Sequence, residues 1–79
     1  MIHGVIIERI EDYNNLKRYR VDYMKNGYSQ KAVFMDFSGD WKLIETEHYS
    51  RNGLKADEKK ELIEMIRKID NEIRKIENE

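Results

Sequence analysis

Residues 16–37, LKRYRVDYMKNGYSQKAVFMDF, decide the fold of this chain. From Leu16 to Met24 the side chains alternate, with Tyr19, Val21 and Tyr23 on one side and Arg18, Arg20 and Asp22 on the other. A period of two is the pattern of a strand. Asn26-Gly27 follows, and both residues tolerate the positive φ that a type I′ hairpin turn requires. Residues 30–37, with Ala32, Val33, Phe34, Met35 and Phe37, form the returning arm. A two-residue loop sets the register, placing Lys25 opposite Tyr28, Val21 opposite Ala32 and Tyr19 opposite Phe34. Counted by pleat, one face carries Tyr19, Val21, Tyr23, Ala32 and Phe34. The other carries Arg18, Arg20, Met24, Val33 and Met35, with Asp22 opposite Lys31. Both faces are partly apolar.

Upstream, residues 2–10 hold Ile2, Val5, Ile6, Ile7 and Ile10, a β-branched run that favours another strand. Asp12, Asn14 and Asn15 mark the turn between the two. Downstream, Ser38-Gly39-Asp40 turns the chain again, Trp41 to Tyr49 supplies a further arm, and Asn52-Gly53 ends it. Beyond Gly53, Leu62, Ile63, Met65, Ile66, Ile69, Ile73 and Ile76 fall at helical spacing. Asp57 is the expected N-cap, with Glu58 and Glu61 suited to the positive end of the helix dipole. The expected fold is α+β: a three- to four-stranded antiparallel meander over about residues 2–50, then one long C-terminal helix over about 57–77, all in a single domain spanning 1–79.

One helix covers one face of a sheet, so the second face is expected to be exposed or pressed against a partner. The helix would be roughly 34 Å long at about 1.5 Å per residue. A four-stranded sheet is about 15–20 Å across at roughly 4.8 Å per strand. From Ile66 the apolar stripe narrows to Ile66, Ile69, Ile73 and Ile76, alternating steps of three and four as in a coiled coil. Those four residues are the expected dimerisation seam of a homodimer; a helix lying diagonally on its own sheet is the other solution.

Composition narrows the function. The 79 residues lack cysteine and proline, so disulfides and thiolate metal sites are excluded. His3 and His48 are the only imidazoles, and no metal or cofactor is expected. Charged residues reach 39% against a norm of roughly 25%, yet the net charge is −1 and eight aromatics lie between Tyr13 and Tyr49, which argues for a folded chain. Near-neutrality gives no general attraction to nucleic acid or membrane. The apolar stretch at the start is interrupted by Glu8 and Arg9 with no cleavage site after it, and nothing approaches a membrane span. A soluble, cytoplasmic protein without membrane partners is expected.

No enzyme is expected either. Ser29, Ser38 and Ser50 sit at turns or strand ends, and neither histidine has a recognisable partner spacing. Glu45-Thr46-Glu47-His48 contains Glu-x-x-His, but on a strand those two side chains point to opposite faces. Asp36, Ser38, Asp40 and Glu47 match part of a calcium-loop template, although Trp41 stands where that loop needs glycine. A hairpin turn accounts better for the segment.

Arg18, Tyr19, Arg20, Tyr23, Lys31, Phe34, Trp41 and Lys42 interleave cations with rings along the strands, and these are the expected partner-binding residues. Such surfaces bind single-stranded DNA or RNA by stacking and phosphate contacts, though residues 1–55 balance nine Lys/Arg against eight Asp/Glu. Residues 62–76, LIEMIRKIDNEIRKI, resemble the C-terminal helix of the single-stranded-DNA-binding transcriptional coactivators called positive cofactor four. The resemblance implies helix packing and dimerisation through Leu62, Ile66, Ile69 and Ile73, with DNA on the sheet. It is confined to this helix: the family's basic hairpins are not reproduced, and Lys59 stands where the family has an aromatic residue. The same Tyr, Trp and Arg types are enriched at protein interfaces. A regulator or inhibitor that docks an uncovered sheet face on a larger protein is therefore the leading expectation. Its size and Lys/Ile/Asn/Glu-rich usage suit a small accessory product of a phage or other mobile element.

Overall fold

A computed structural model describes residues 2–47 and 53–77. Four strands, β1 (Ile2–Tyr13), β2 (Leu16–Lys25), β3 (Tyr28–Phe37) and β4 (Asp40–Glu47), precede one helix, α1 (Ala56–Glu77). The strands pair antiparallel in chain order, β1-β2-β3-β4, which is the meander expected. The central register is the one set by Asn26-Gly27: Lys25 pairs with Tyr28, Val21 with Ala32 and Tyr19 with Phe34. His48 and Tyr49, assigned to the last arm, and Asn52 lie outside the described residues.

All three hairpins close through two residues with positive φ: Asn14 and Asn15 at 51° and 66°, Asn26 and Gly27 at 51° and 81°, Ser38 and Gly39 at 57° and 94°. Two consecutive positive φ values make a type I′ turn, whose twist suits paired strands. Ser38 is the least suited of these residues, and its turn is held by the Gly39 amide donating to Asp36 Oδ1 at 2.6 Å. Ser38→Asn should raise stability by about 0.5 kcal/mol, read as a higher urea midpoint at unchanged slope. In β1 the register shifts between His3 and Ile6. Gly4 sits there with φ 59°, as a bulge requires of the residue that takes the left-handed conformation. In β4 the shift between Val33 and Phe34 leaves Ile44 as the extra residue.

The helix covers the face that holds the rings. Tyr19, Val21, Tyr23, Ala32, Phe34 and Trp41 are buried together with Ile2, Leu62 and Ile66, and Val5, Ile7, Leu43, Ile63, Met65, Ile69 and Ile73 pack around them. Tyr19 and Trp41 meet edge to face, with centroids 5.4 Å apart, the arrangement that ring quadrupoles favour.

The buried stripe of α1 is Glu58, Leu62, Ile66 and Asp70, one residue in every four, with a carboxylate at each end. Glu58 Oε1 accepts from Lys25 Nζ at 2.6 Å, and the same ammonium donates to the Gly53 carbonyl at 2.7 Å. Asp70 accepts from Lys17 Nζ at 3.2 Å and from the Tyr19 hydroxyl at 3.1 Å. Both partners lie on β2, at its two ends, so α1 runs along that strand. From residue 58 to 70 the helix rises about 18 Å, while β2 from 17 to 25 spans about 26 Å; the two long lysine side chains close the difference. The comparison of helix length with sheet width is corrected here, because the helix axis follows the strands and strand length is what matters.

The start of α1 also differs from expectation. Lys59 N–H donates to the Lys55 carbonyl at 2.9 Å, and Lys55 N–H donates to Glu58 Oε1 at 2.9 Å. Lys55 is therefore the N-cap, and Glu58 is the acidic half of a capping box. Asp57 lies inside the first turn and accepts from the Glu58 amide at 3.0 Å. One carboxylate thus closes the helix end and joins it to β2.

Candidate docking face

Among the described residues, no helix lies over the opposite face of the sheet. Its side chains form rows across the strands, fixed by backbone register. Ile10, Arg18, Met35 and Lys42 make the row nearest the first and third turns. Glu8, Arg20, Val33 and Glu45 make the next. Ile6, Asp22 and Lys31 follow, with Lys31 paired to position 47.

Long charged side chains shelter the middle of this face. Val33 and Met35 are only 9% and 6% exposed; their cross-strand neighbours include Arg20, and Arg18 with Lys42, residues whose long stems can cover apolar surface. Apolar surface reaches solvent around that centre instead. Ile6 is 64% exposed, Tyr13 58%, Phe37 40% and Ile44 39%. A depression of about 440 Å³ beside Val33 is lined by Arg20, Lys31, Ala32, Glu45 and Thr46.

Charge is distributed unevenly along the strands. Arg20 Nη2 donates to Glu8 Oε2 at 3.0 Å, and its Nε lies 3.7 Å from Asp22 Oδ1. Arg18 meets a backbone carbonyl, that of Glu11, at 2.8 Å, and stacks over Tyr13 at 5.8 Å from the ring centroid. Lys42 sits 5.6 Å from the Phe37 centroid and 3.7 Å from Asp40. The first row holds two cations. The second and third together hold Glu8, Glu45 and Asp22 against Arg20 and Lys31. One end of the face is therefore positive and ring-bearing, and the rest is mixed with an acidic excess.

No family model, curated protein or solved structure matches this chain.

Of the residues expected to bind a partner, Arg18, Arg20, Lys31 and Lys42 share the uncovered face. Tyr19, Tyr23, Phe34 and Trp41 do not: they are 0%, 1%, 0% and 5% exposed beneath α1. Those four rings are core in this monomer, because their volume is what a helix can bury, and assigning them to an exposed surface is corrected. The isoleucine seam is corrected in the same way. Ile66 is fully buried, Ile69 and Ile73 pack on the core, and only Ile76, at 72%, is largely exposed. A helix lying along its own sheet uses its stripe within the chain.

Tyr13 and Phe37 were missed as surface rings. The pleat that places Met35 on the uncovered face continues to Phe37, and the pleat that places Arg18 there runs back to Leu16, whose register partner is Tyr13. Among the described residues no group of three or more His, Asp or Glu side chains could hold a metal ion, and no helix is long and apolar enough to cross a membrane. The calcium-template segment is the β3–β4 hairpin, where Asp36 serves the turn. His48 of the Glu-x-x-His spacing lies outside the described residues.

The titration behaviour of the covered side belongs to structure. Burial pushes the Tyr19 hydroxyl up to about 12, and the neighbouring Asp70 carboxylate adds to the shift. Burial also raises Tyr23, with the Glu58 charge acting the same way. For Glu58, burial favours the neutral acid, but hydrogen bonds from Lys25 and the Lys55 amide outweigh it and hold the carboxyl below its ordinary range. Tyr23 Oη and Gln30 Nε2, on register partners at this buried end, make no hydrogen bond within the protein.

Proposed function

We propose that this chain is a non-enzymatic protein-binding module, a regulator or inhibitor that docks the uncovered face of its sheet on a larger protein. The observation that carries this is the exposed Ile6, Phe37 and Ile44 on a four-stranded sheet with α1 on the other side. Large apolar side chains exposed among charged ones on one face are what a docking surface offers a partner. Mixed charge suits a protein partner better than a phosphate backbone, since Arg20 is already committed to Glu8 and Asp22. A cytoplasmic setting fits, in a host cell if the gene belongs to a phage or mobile element.

Ile6→Glu with Phe37→Glu adds charge at two exposed positions and leaves the core untouched. In an affinity capture from nuclease-treated lysate, the proteins held by the parent should fall at least tenfold with this variant. Undiminished capture of the same proteins would remove this face from the interaction.

A second reading, a single-stranded nucleic-acid-binding protein, draws on the two ring–cation pairs at the positive end, Tyr13 with Arg18 and Phe37 with Lys42. Rings beside cations are what such ligands use. Titration of labelled oligonucleotides at two salt concentrations separates the two, because phosphate contacts weaken steeply with salt. The helix resemblance to positive cofactor four points to the same ligand, but the rings that helix covers here are not free to stack on bases.

A further inference from the structure

Among the described residues β4 pairs with β3 alone. Its outer side therefore presents backbone N–H and C=O groups that no strand takes up, the template an edge offers to another chain. A groove of about 460 Å³ runs beside it, between β4 and α1. Residues 40–43 make the sheet side, and Lys59, Ile63 and Arg67, on successive turns of α1, make the other. Trp41 is buried at the floor, while Leu43 and Ile63 are half-buried along the sides. The helix side is cationic: Lys59, Lys60 and Arg67 line it, with Glu64 as its one carboxylate. Among the described residues none of these three cations makes an ion pair. Arg67 donates to the Gly39 carbonyl at 3.3 Å, so side chains of this flank reach across to the sheet. On the sheet side, Asp40 and Lys42 lie 3.7 Å apart and offset each other.

We propose that an extended acidic peptide segment of a partner adds to the outer side of β4 as a fifth strand, with its acids against Lys59 and Arg67. A polypeptide carries donors and acceptors at the strand repeat, which is what this edge takes up; a nucleic acid meets the cations and leaves the backbone row unpaired. From Lys59 to Arg67 the helix rises about 12 Å, and four residues of strand span about 13 Å. Acids at peptide positions i and i+4, on one side of its pleat, then meet both cations. Residue i+2 falls beside Ile63 and Glu64, where an apolar side chain fits and an acid is repelled. The bulge at Ile44 interrupts the edge beyond Leu43, which limits the added strand to about five residues. A second copy is disfavoured as occupant. Two β4 edges pair antiparallel about a two-fold normal to the sheet, which puts both helices on one face and sets their lysines and arginines across a shared groove. This surface is distinct from the uncovered face, and its test is independent of the capture by Ile6→Glu/Phe37→Glu.

The probe is the end-blocked peptide Thr-Glu-Thr-Val-Thr-Glu-Thr, titrated to about 1 mM, the weak end of the affinity scale, into isotopically labelled full chain while amide shifts are followed by NMR. Shifts should concentrate on residues 40–43 and 59–67. Lys59→Glu/Arg67→Glu, checked for folding by circular dichroism, should bind this peptide about tenfold more weakly and should prefer the peptide with Lys in place of Glu. Methylating the backbone nitrogens of alternate peptide residues should abolish binding in one phase and leave it unchanged in the other, because only one set faces β4. No shift at the highest concentration, shifts confined to the uncovered face, or equal loss in both methylation phases overturns the added strand. Equal affinity of the parent for the Glu and Lys peptides overturns its acidic character. If a short oligothymidylate moves the same amides more tightly than the peptide, or if raising the concentration of the chain alone moves them, the peptide is overturned as occupant.

Discussion

Lys25→Met should destabilise this chain by about 3–5 kcal/mol, the usual result of removing one member of a buried ion pair. Small domains hold only about 5–15 kcal/mol in total, so the variant would be close to unfolded at room temperature. The size follows from where the charges lie. Lys25 and Glu58 side chains are 4% and 8% exposed and 2.6 Å apart, and Glu58 also closes the capping box with Lys55. Removing the ammonium leaves a carboxylate in a site that burial alone would render neutral. The double variant Lys25→Met/Glu58→Leu should recover most of the loss, since apolar groups of similar volume often replace buried pairs at little cost. Urea unfolding of the parent and both variants measures this, and an unaltered midpoint in Lys25→Met would show that the pair contributes nothing.

The pH dependence should differ between the two proteins. In the parent, Glu58 is held below its ordinary value of 4.5, so its contribution is fully present above that value and lost as pH falls through the depressed one. In Lys25→Met the lowering effects of the ammonium are gone while burial still favours the neutral acid, so the loss of stability on acidification should shrink. At the alkaline end, Tyr19, raised from 10.0 to about 12, withdraws its contribution as pH rises through that window.

Ile66→Ala should remove about 2–5 kcal/mol, whereas Ile76→Ala should stay within about 0.5 kcal/mol. Both belong to one run of isoleucines, and only their places on the sheet differ: Ile66 is fully buried between the two carboxylates of the stripe, and Ile76 is 72% exposed past the second of them. Thermal or urea unfolding reads both. Were the seam an interface between copies, Ile76→Ala would change the mass while Ile66→Ala left the monomer's stability nearly unaltered, and the two substitutions would exchange effects.

Much of the fold was legible because it is governed by local rules. Alternation over Leu16–Met24 and the Asn26-Gly27 turn yielded the pairing of Tyr19 with Phe34 to the residue. Helical spacing located α1 to within one residue at each end. What was not legible needed information from far along the chain. Both sheet faces carry apolar side chains, so pleat counting cannot say which one the helix takes. Bulk decides it: Tyr19, Tyr23, Phe34 and Trp41 need a covering layer, while Val33 and Met35 are smaller and have long-stemmed arginine and lysine as cross-strand neighbours. Lys25 and Glu58 are 33 positions apart, and neither looks buried from its neighbours in sequence. The seam was misplaced for a related reason, since spacing in steps of three and four serves a helix on its own sheet as well as a helix against a partner.

The order of elements along the chain has a consequence during synthesis. Every strand precedes α1, and each can pair with its predecessor as soon as it leaves the ribosome. The covering layer follows all four strands. At about 5–20 residues per second, the 22 residues of α1 take seconds to appear, and throughout that interval Tyr19, Phe34 and Trp41 are bare alongside Ile6 and Phe37. A nascent sheet with two sticky sides is the species most exposed to chaperones and to aggregation, and a message truncated before the helix would leave that state as its end product.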